Sequence, residues 1–284
     1  MRFLVRPPGP ALAPFIAYFW ALQDAPPNLK GRLVPSGTLD LVVNLHEDQM
    51  RGDASHLGNG VGFSGALAAG AYRRYFEFSS HAPVSLVGVH FKPGGALPFL
   101  GVPPGELAER HVDLELIWGR RPANELRERL CAATTAADRF ALMESTLRSR
   151  LAAHVPGHRA VPFALQQLAR PGCTVGEVAA SVQLSRRRFI QVFTSDVGMA
   201  PKHLSRVLRF QRACELARRA EAPDWCQLAL ACGYFDQSHM INEVREFAGT
   251  TPMGLIRGNM QFEDLHLLDQ PRSHSSKTPA VARP

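Results

Sequence analysis

The most regular pattern of apolar and polar positions lies between residues 225 and 255. Its first segment carries apolar side chains along one side, at Leu228, Ala229, Cys232 and Tyr234. After Gly233, a second segment places apolar residues at i, i+4 and i+7, at Met240, Val244 and Phe247. This spacing predicts one buried stripe on an α-helix, and Asp236 is a residue type that caps helix N-termini. Because glycine takes the left-handed conformation at no steric cost, we predict two short helices joined by a tight turn at Gly233.

The second of these helices has a polar face that lies off its apolar stripe. The residues of this face are Gln237, Ser238, His239, Asn242 and Arg245. Gln, Asn, Ser and Arg side chains at the start of the second helix of such a pair read base edges in the DNA major groove. We therefore interpret the first four as base-reading residues. The alternative is an ordinary helical hairpin with a polar outer face.

Residues 177–201 repeat this layout upstream. Equivalent positions are 50 residues apart before the turn and 51 apart after it, so the later copy has one extra turn residue. Such self-similarity indicates one structural unit used twice. In the upstream copy Ser185 is a natural N-cap, and it is followed by Arg186, Arg187, Arg188 and Gln191. A triple arginine is often only a solvated face, but its place at the start of the second helix favours contact with bases.

Between the two copies, residues 202–220 contain no interior Gly or Pro and have helical spacing of apolar residues. A helix of about 19 residues is roughly 28 Å long, and successive major grooves on one face of DNA repeat every ~34 Å. One rigid helix could therefore hold two recognition helices in adjacent grooves. The residues predicted to contact phosphates are Lys202, Arg206, Arg209 and Arg212 on this helix and Arg245 on the second recognition helix. A solvated charged face is the alternative.

The stretch ACGYFDQSHMINEVREFAGTTP resembles the AraC/XylS family of transcription regulators, and the upstream copy resembles the family more loosely. The combination of DQSH with GTTP is a specific feature of this resemblance. It implies a seven-helix domain in which two helix-turn-helix units lie on a central helix. The chain departs from the family pattern at Asn242, where arginine is common, and at Val244, where phenylalanine is common. Asn242 stays among the base-reading candidates because asparagine can bond adenine edges.

The first 95 residues alternate short apolar runs with turn signals and are predicted to be mostly β-structure. Strands are predicted at Arg2–Val5, Lys30–Val34, Leu39–Leu45, Val61–Ala68, Tyr72–Phe78 and Val84–Phe91, with a loop from Gln49 to Gly60. The stretches LVPSGTLDLVVNL and GVHFKPGGALPFLGVPPGEL resemble a small sensor-like domain found ahead of this DNA-binding module in some bacterial regulators. The predicted fold class is α+β, with a cupin-like, barrel-like β domain that includes helices, followed by an all-α double helix-turn-helix domain.

Four polar residues of this region are candidate contacts to a small-molecule effector. They are Asp40, Asn44, His90 and Lys92. Asp40 and Asn44 lie four positions apart on a largely apolar strand and so share a face. Because buried polar groups need partners, Asp40 is either a structural hydrogen-bonding residue or a ligand contact. Lys92 adjoins a glycine turn that could hold an anion, although its spacing is not that of a P-loop.

From residue 106 the pattern becomes helical. Helices are predicted at Leu107–Trp118, Ala123–Ala133 and Ala136–Ala152, and their apolar faces either dimerise or pack on the domain's own sheet. The predicted organisation is an N-terminal sensor or dimerisation-like domain at 1–155, β-rich over 1–95 and helical over 105–155, and a DNA-binding domain at 158–258. Residues 155–157 are the predicted linker. Residues 261–284 form a polar tail that we expect to be disordered.

Charge follows the same division of the chain. The formal net charge is +7, and residues 1–157 hold 16 Lys and Arg against 14 Asp and Glu, whereas residues 158–260 hold 13 against 8. The positive excess therefore accompanies the repeat, as phosphate binding requires. Double-stranded DNA is the main predicted partner, and a small-molecule effector, a second copy of the chain and RNA polymerase are further candidates.

The sequence shows no signal peptide or membrane-spanning run, so we expect a cytoplasmic protein without membrane contact. Its five cysteines lack CxxC spacing, which indicates reduced, packed thiols and no metal or cofactor. An enzyme fused to a DNA-binding module, such as an alkyl-transfer repair protein, would need a reactive cysteine cluster in the N-terminal half, where only Cys131 lies. The triple arginine argues against a DNA-independent helical adaptor. The predicted function is a sequence-specific transcription regulator and not an enzyme.

Overall fold

A computed structural model describes residues 1–27, 29–46, 49–52, 61–80, 82–151, 157–220, 223–257, 259–260 and 265–268. The N-terminal half is built on a six-stranded sheet, and the C-terminal half is helical. The predicted α+β class is therefore confirmed. Most of the predicted linker at 155–157 lies outside the described residues.

The strands form three antiparallel sheets in the described part of the chain. In chain order they are β1 Arg2–Arg6, β2 Ile16–Ala25, β3 Lys30–Leu33, β4 Asp40–Asn44, β5 Gln49–Gly52, β6 Val61–Ser64, β7 Ala66–Ala69, β8 Phe76–Ser79, β9 Val84–Phe91, β10 His111–Asp113, β11 Asn259–Met260 and β12 Leu265–Leu268. The six-stranded sheet has the order β1-β2-β9-β4-β7-β10, the four-stranded sheet the order β11-β12-β3-β8, and β5 pairs with β6.

The six-stranded sheet has two unlike faces, because side chains alternate along each strand. One face belongs to the main hydrophobic core, and four cross-strand neighbours on it are fully buried: Phe19, Val89, Leu41 and Ala68. The other face carries Trp20, which packs with Phe78 of the four-stranded sheet in a second, smaller core. The domain is thus layered, with the smaller sheet on one side and helices on the other.

The helices of the N-terminal half cover the first of these faces. They are α1 Leu97–Leu100, a 3₁₀ turn Pro104–Leu107, α2 Leu114–Trp118, α3 Arg120–Ala132 and α4 Ala136–Leu151. The ring of Phe140 on α4 lies 6.4 Å from the ring of Phe19 on β2, and Leu126 and Met143 join the same core. The apolar faces of α3 and α4 therefore pack on the domain's own sheet, which was one of the two predicted alternatives.

Two sequence-based assignments in this half are wrong. Residues 107–118 were predicted as one helix, but His111–Asp113 form β10, which pairs with β7 at the sheet edge. The three- and four-residue apolar steps suit a helix, yet pairing with the exposed edge of β7 satisfies the backbone groups of this segment instead. Gln49–Gly52 was predicted as loop and forms β5, while 53–60 lie outside the described residues.

The C-terminal half contains seven helices among its described residues, the number that the family resemblance implied. They are α5 Ala160–Leu168, α6 Val175–Ser181, α7 Arg186–Val197, α8 Pro201–Arg219, α9 Trp225–Ala231, α10 Gln237–Ala248 and α11 Pro252–Arg257. The central helix α8 is unbroken over 19 residues. It begins at Pro201, because proline's missing N–H is not needed at the first helical position.

The two halves of the chain share one hydrophobic core. Gly37 on the β3–β4 turn has a φ of +75°, and a Cβ there would lie 2.4 Å from Leu204 Cδ1 on α8. Only glycine therefore fits this turn at such a close approach. Beside it, Gln211 Nε2 on α8 donates to the carbonyl of Pro35 at 2.6 Å.

The end of α10 also contacts the N-terminal half. Arg32 on β3 donates from Nη1 to the carbonyl of Ala248, the last residue of α10, at 2.6 Å. On one side of β3 in the four-stranded sheet lies β12, whose residues 265–268 pair with β3 in antiparallel register. This pairing corrects the expectation that the chain beyond 261 is wholly disordered, and 269–284 lie outside the described residues.

Candidate nucleic-acid interface

The helix pairs α6–α7 and α9–α10 have equivalent backbone geometry. Their first helices are followed by residues with positive φ, Gln183 at 56° and Gly233 at 83°, which are 50 positions apart. Their second helices are capped by Ser185 and Asp236, which are 51 positions apart and accept the N–H of the third helical residue at 3.2 Å and 2.7 Å. The sequence repeat is therefore a structural repeat of two helix-turn-helix units.

The second helix of the first unit, α7, presents a basic end to solvent. Its residues Arg186, Arg187, Arg188 and Gln191 are all exposed. Arg188 Nη1 donates to Gln191 Oε1 at 2.9 Å. On the opposite side Phe189 is 1% exposed. The structure thus brings the four residues predicted to read bases in this unit to one accessible end of the helix.

The second helix of the second unit, α10, buries its apolar stripe as predicted, since Met240, Val244 and Phe247 are at most 2% exposed. Its exposed polar residues are Ser238, His239, Asn242 and Arg245. Gln237 is half-buried, and its side-chain Oε1 accepts a hydrogen bond from the thiol of Cys226 at 3.1 Å. This contact leaves the amide N–H₂ of Gln237 as the side-chain group that can donate to another partner.

A buried carboxylate joins α10 to the central helix α8. Glu243 on α10 is 2% exposed and accepts hydrogen bonds from Arg206 Nε at 2.8 Å and from Arg209 Nη2 and Nε at 2.8 Å and 3.1 Å. Arg206 also donates to Glu246, and the Arg209 guanidinium lies 4.4 Å from the ring centre of Tyr234. Because a buried charge is stable only when it is paired, this network fixes how the recognition helix lies on α8.

This network changes the interpretation of two residues that were predicted to contact phosphates. The guanidinium groups of Arg206 and Arg209 are engaged within the protein. Burial lowers the pKa of Arg209, but hydrogen bonding and attraction from Glu243 outweigh it and raise that pKa above its ordinary value. For both arginines the geometry favours an ion-paired joint between α8 and α10, formed with Glu243, over contact with phosphates. Lys202 and Arg212 are exposed on the same helix, and their contact with phosphates stays a prediction.

Two of the four candidate effector residues lie together on the six-stranded sheet. Asp40 and His90 are cross-strand partners, and His90 Nδ1 is 3.0 Å from Asp40 Oδ2. Trp20 Nε1 donates to the same carboxylate at 3.2 Å. Asp40 therefore has the structural hydrogen bonds that one of its two predicted roles requires.

The other two candidates are held by neighbouring backbone. The side-chain oxygen of Asn44 accepts the N–H of His46 at 2.9 Å. The ammonium group of Lys92 donates to the carbonyl of Ala13 at 2.6 Å. These contacts therefore do not bring the four candidate residues together at one shared site.

The Asp40–His90 pair belongs instead to a row of cross-strand partners that crosses the sheet. The members of this row are Tyr18, His90, Asp40, Ala69 and His111. The rings of Tyr18 and His90 stack at 4.8 Å, and the ring of His111 lies 5.5 Å from that of Tyr72. Burial lowers the pKa of His111 to about 4, with the charge of Asp40 opposing the shift. At neutral pH this imidazole is uncharged.

Comparison with known families identifies the helical region. A family described as a helix-turn-helix domain matches residues 178–257, from within α6 to the end of α11. Residues 178–257 are an AraC-type helix-turn-helix domain. Residues 5–113, which include the six-stranded sheet except the first three residues of β1, match a family described as a domain of unknown function (DUF6597). No curated protein matches the chain.

Several solved structures are similar to this chain. The C-terminal domain of AraT, a response regulator from Geobacillus stearothermophilus, is 22% identical over 35% of this chain and 81% of that chain, with a TM-score of 0.31. A transcriptional regulator with an AraC-type DNA-binding domain from Chromobacterium violaceum is 25% identical over 36% of this chain and 89% of that chain, with a TM-score of 0.31. ToxT from Vibrio cholerae is 10% identical over 90% of this chain and 96% of that chain, with a TM-score of 0.40. Because these TM-scores are low, the function proposed for the AraC-type domain rests on its own residues.

Other classes of site receive no support from the described residues. Within them, every helix is too short or too polar to cross a lipid bilayer. The same residues bring together no group of three or more His, Cys, Asp or Glu that could hold a metal ion. Burial raises the pKa of the Cys214 thiol to about 12, whereas Cys226, predicted as a packed helix residue, is exposed. Cys131 is also exposed and donates to the carbonyl of Leu45.

Sequence reasoning missed two features of the AraC-type domain. The first is Glu243, which falls three residues after Met240 and four before Phe247 and so lies on the apolar stripe. A carboxylate at such a position needs a cationic partner, and this signal could have directed attention to the arginines of α8. The second is the exposure of Phe235, the extra turn residue of the second unit, which is 85% exposed.

Proposed function

We propose that this protein is a sequence-specific transcription regulator in which α7 and α10 enter successive major grooves of DNA. The supporting observation is that both helices bury an apolar stripe within the AraC-type domain and expose polar residues at their N-terminal ends. One unbroken helix, α8, connects the two units. For this function the protein would be located in the cytoplasm, where it has access to the chromosome.

Each exposed residue has a role that follows from its chemistry. Arginine forms two hydrogen bonds to the edge of guanine, so Arg186, Arg187 and Arg188 are assigned to bases in one groove. Asn242 and the amide N–H₂ of Gln237 are assigned to bases in the other. The remaining base contacts are assigned to Gln191, Ser238 and His239.

Contacts to the phosphate backbone position the domain without carrying sequence information. We assign them to Lys202 and Arg212 on α8 and to Arg245 on α10, all of which are exposed. Arg206 and Arg209 are assigned to the joint with Glu243 instead. The net positive charge of residues 158–260 suits this electrostatic part of the binding.

Selection of bound sequences from a random DNA pool tests the proposal. The full chain should enrich one bipartite motif, and its affinity should fall steeply as salt rises, since bound phosphates release counterions. Arg187→Ala should relax the preference for guanine at one position and cost about tenfold in specific affinity. A chain that enriches no motif, or whose affinity is independent of salt, would contradict the proposal.

We further propose that the N-terminal domain adjusts DNA binding, in response to an effector, through its contacts with the AraC-type domain. The support is the hydrogen bond from Arg32 on β3 to the end of α10 and the core shared by the two halves. The row containing Asp40 and His90 is the candidate effector surface. Arg32→Ala should change affinity for the selected DNA without changing its sequence preference, and an unchanged affinity would argue against this coupling. A second copy of the chain and RNA polymerase are further proposed partners.

A further inference from the structure

The two helix-turn-helix units differ by one residue, and the structure locates it. The backbone N–H groups of Leu184 and Tyr234, 50 positions apart, make the same hydrogen bond back to the first helix of each unit. The capping residues Ser185 and Asp236 are 51 positions apart. Phe235 is therefore the insertion, placed directly before the cap of α10.

The side chain of this inserted residue is unusually open to solvent. Phe235 is 85% exposed, the highest value among the exposed large apolar residues of the described chain. The turn is nevertheless hydrogen-bonded, because the N–H of Phe235 donates to His239 Nδ1 at 3.4 Å and the carbonyl of Gly233, two residues earlier, accepts from Arg209 Nη1 at 3.4 Å. A phenyl ring that stays in contact with water contributes nothing to the stability of the fold, because it is the burial of apolar surface that stabilises a folded protein.

The position of Phe235 indicates what the ring contacts. It lies at the N-terminal end of α10, the end that carries the exposed residues Ser238 and His239. In the recognition helix of a helix-turn-helix unit, this end is the one that meets base edges. The C5-methyl group of thymine is the apolar feature that the major groove offers there, and phenylalanine is among the residues that contact it.

We propose that Phe235 contacts a thymine methyl group and so sets base preference in the groove entered by α10. This inference rests on the proposed DNA-binding function and adds to it a specificity residue that the first unit lacks. A phenyl ring cannot form the hydrogen bonds by which Gln237 or Asn242 recognise a base. The contact therefore adds preference for thymine at a base pair beside those that these residues read.

Replacing thymine with uracil removes only the methyl group and provides the test. The probe is the motif selected from a random DNA pool, with each thymine of the half-site bound by α10 changed in turn to uracil. Fluorescence anisotropy should show one position at which uracil weakens binding of the wild-type full chain by about fourfold, the value of burying one methyl-sized group. Phe235→Ala should bind the two probes equally, and Phe235→Leu should retain part of the difference.

Leu230→Ala is the matched control, because Leu230 is also apolar and is 58% exposed on α9. It should keep the full uracil effect. The thermal midpoint of Phe235→Ala should equal that of the wild type, since the ring is not packed. If the wild type selects a motif but Phe235→Ala keeps the same uracil effect, or if no position shows one, the methyl contact is overturned while DNA binding stands. If the wild type selects no motif, the proposed function itself fails.

Discussion

Replacing Glu243 with alanine would break the joint that holds α10 on α8. The carboxylate is 2% exposed and accepts three hydrogen bonds from Arg206 and Arg209. After its removal Arg206 keeps Glu246 as an ionic partner. Arg209 keeps the carbonyl of Gly233, at 3.4 Å, and the ring of Tyr234, whose centre lies 4.4 Å from its guanidinium, but no carboxylate among the ion pairs that the structure shows for it. The variant therefore leaves one half-buried guanidinium without its carboxylate partner.

The size of the effect follows from the burial of the three groups. Removing one partner of a fully buried ion pair costs about 3–5 kcal/mol. Here the side chains of Arg206 and Arg209 are 29% and 24% exposed, so water offsets part of the loss. We expect Glu243→Ala to lower the free energy of unfolding by about 2–3 kcal/mol. Glu243→Gln should lose less, because the amide oxygen still accepts a hydrogen bond.

Urea unfolding of the full chain, followed by circular dichroism, measures this loss. Glu215→Ala is the matched control, since Glu215 on α8 pairs with Arg219 but both side chains are exposed, by 54% and 73%. It should stay within about 0.5 kcal/mol of the wild type. Affinity for the selected DNA should fall in Glu243→Ala and not in the control. A Glu243→Ala protein as stable as Glu215→Ala would refute the reasoning about the joint.

Three further perturbations follow from contacts in the structure. Burial lowers the pKa of His111 from 6.5 to about 4, so the unfolded chain binds more protons between these values and stability falls as pH falls through them. Between about pH 7 and about pH 4.5, the free energy of unfolding of His111→Phe should fall by about 2–3 kcal/mol less than that of the wild type. Identical urea-unfolding profiles for the two proteins would disprove the burial effect. Cys226→Ala frees the side-chain oxygen of Gln237, so the selected motif should shift toward adenine at the position Gln237 reads, and an unchanged motif would show that the thiol does not hold the amide. Lys202→Ala should weaken binding to all sequences alike and reduce the slope of log affinity against log salt by about 1, and a loss confined to the selected motif would reassign Lys202 to base contact.

The helical half of the fold could be predicted in detail because its pattern is local. The spacing of Met240, Val244 and Phe247 and the caps Ser185 and Asp236 are set within single helices and turns, where propensity and periodicity act directly. The same reasoning placed the exposed residues of α7 and α10 correctly with respect to the buried stripe. Their role in binding DNA stays a prediction.

The parts that could not be predicted depend on contacts between distant segments. His111–Asp113 has apolar neighbours at helical steps, but its pairing with β7, more than forty residues earlier in the chain, decides its structure. Arg206 and Arg209 have the spacing of a basic helix face, and only the position of Glu243 on α10 shows that their charges are used internally. The hydrogen bond from Arg32 to Ala248 joins residues 216 positions apart, and no local pattern indicates it.

In the proposed complex with DNA, α8 holds two recognition helices so that one molecule engages successive major grooves. The most direct measurement compares affinity for the selected bipartite motif with affinity for the same motif after a half-turn insertion, about 5 base pairs, between its two halves. A rigid connection predicts that the insertion lowers affinity by about a hundredfold, to the level of DNA that carries one half alone. Unchanged affinity after the insertion would contradict the claim, because it would mean that the two helices bind their halves without being held in register by α8.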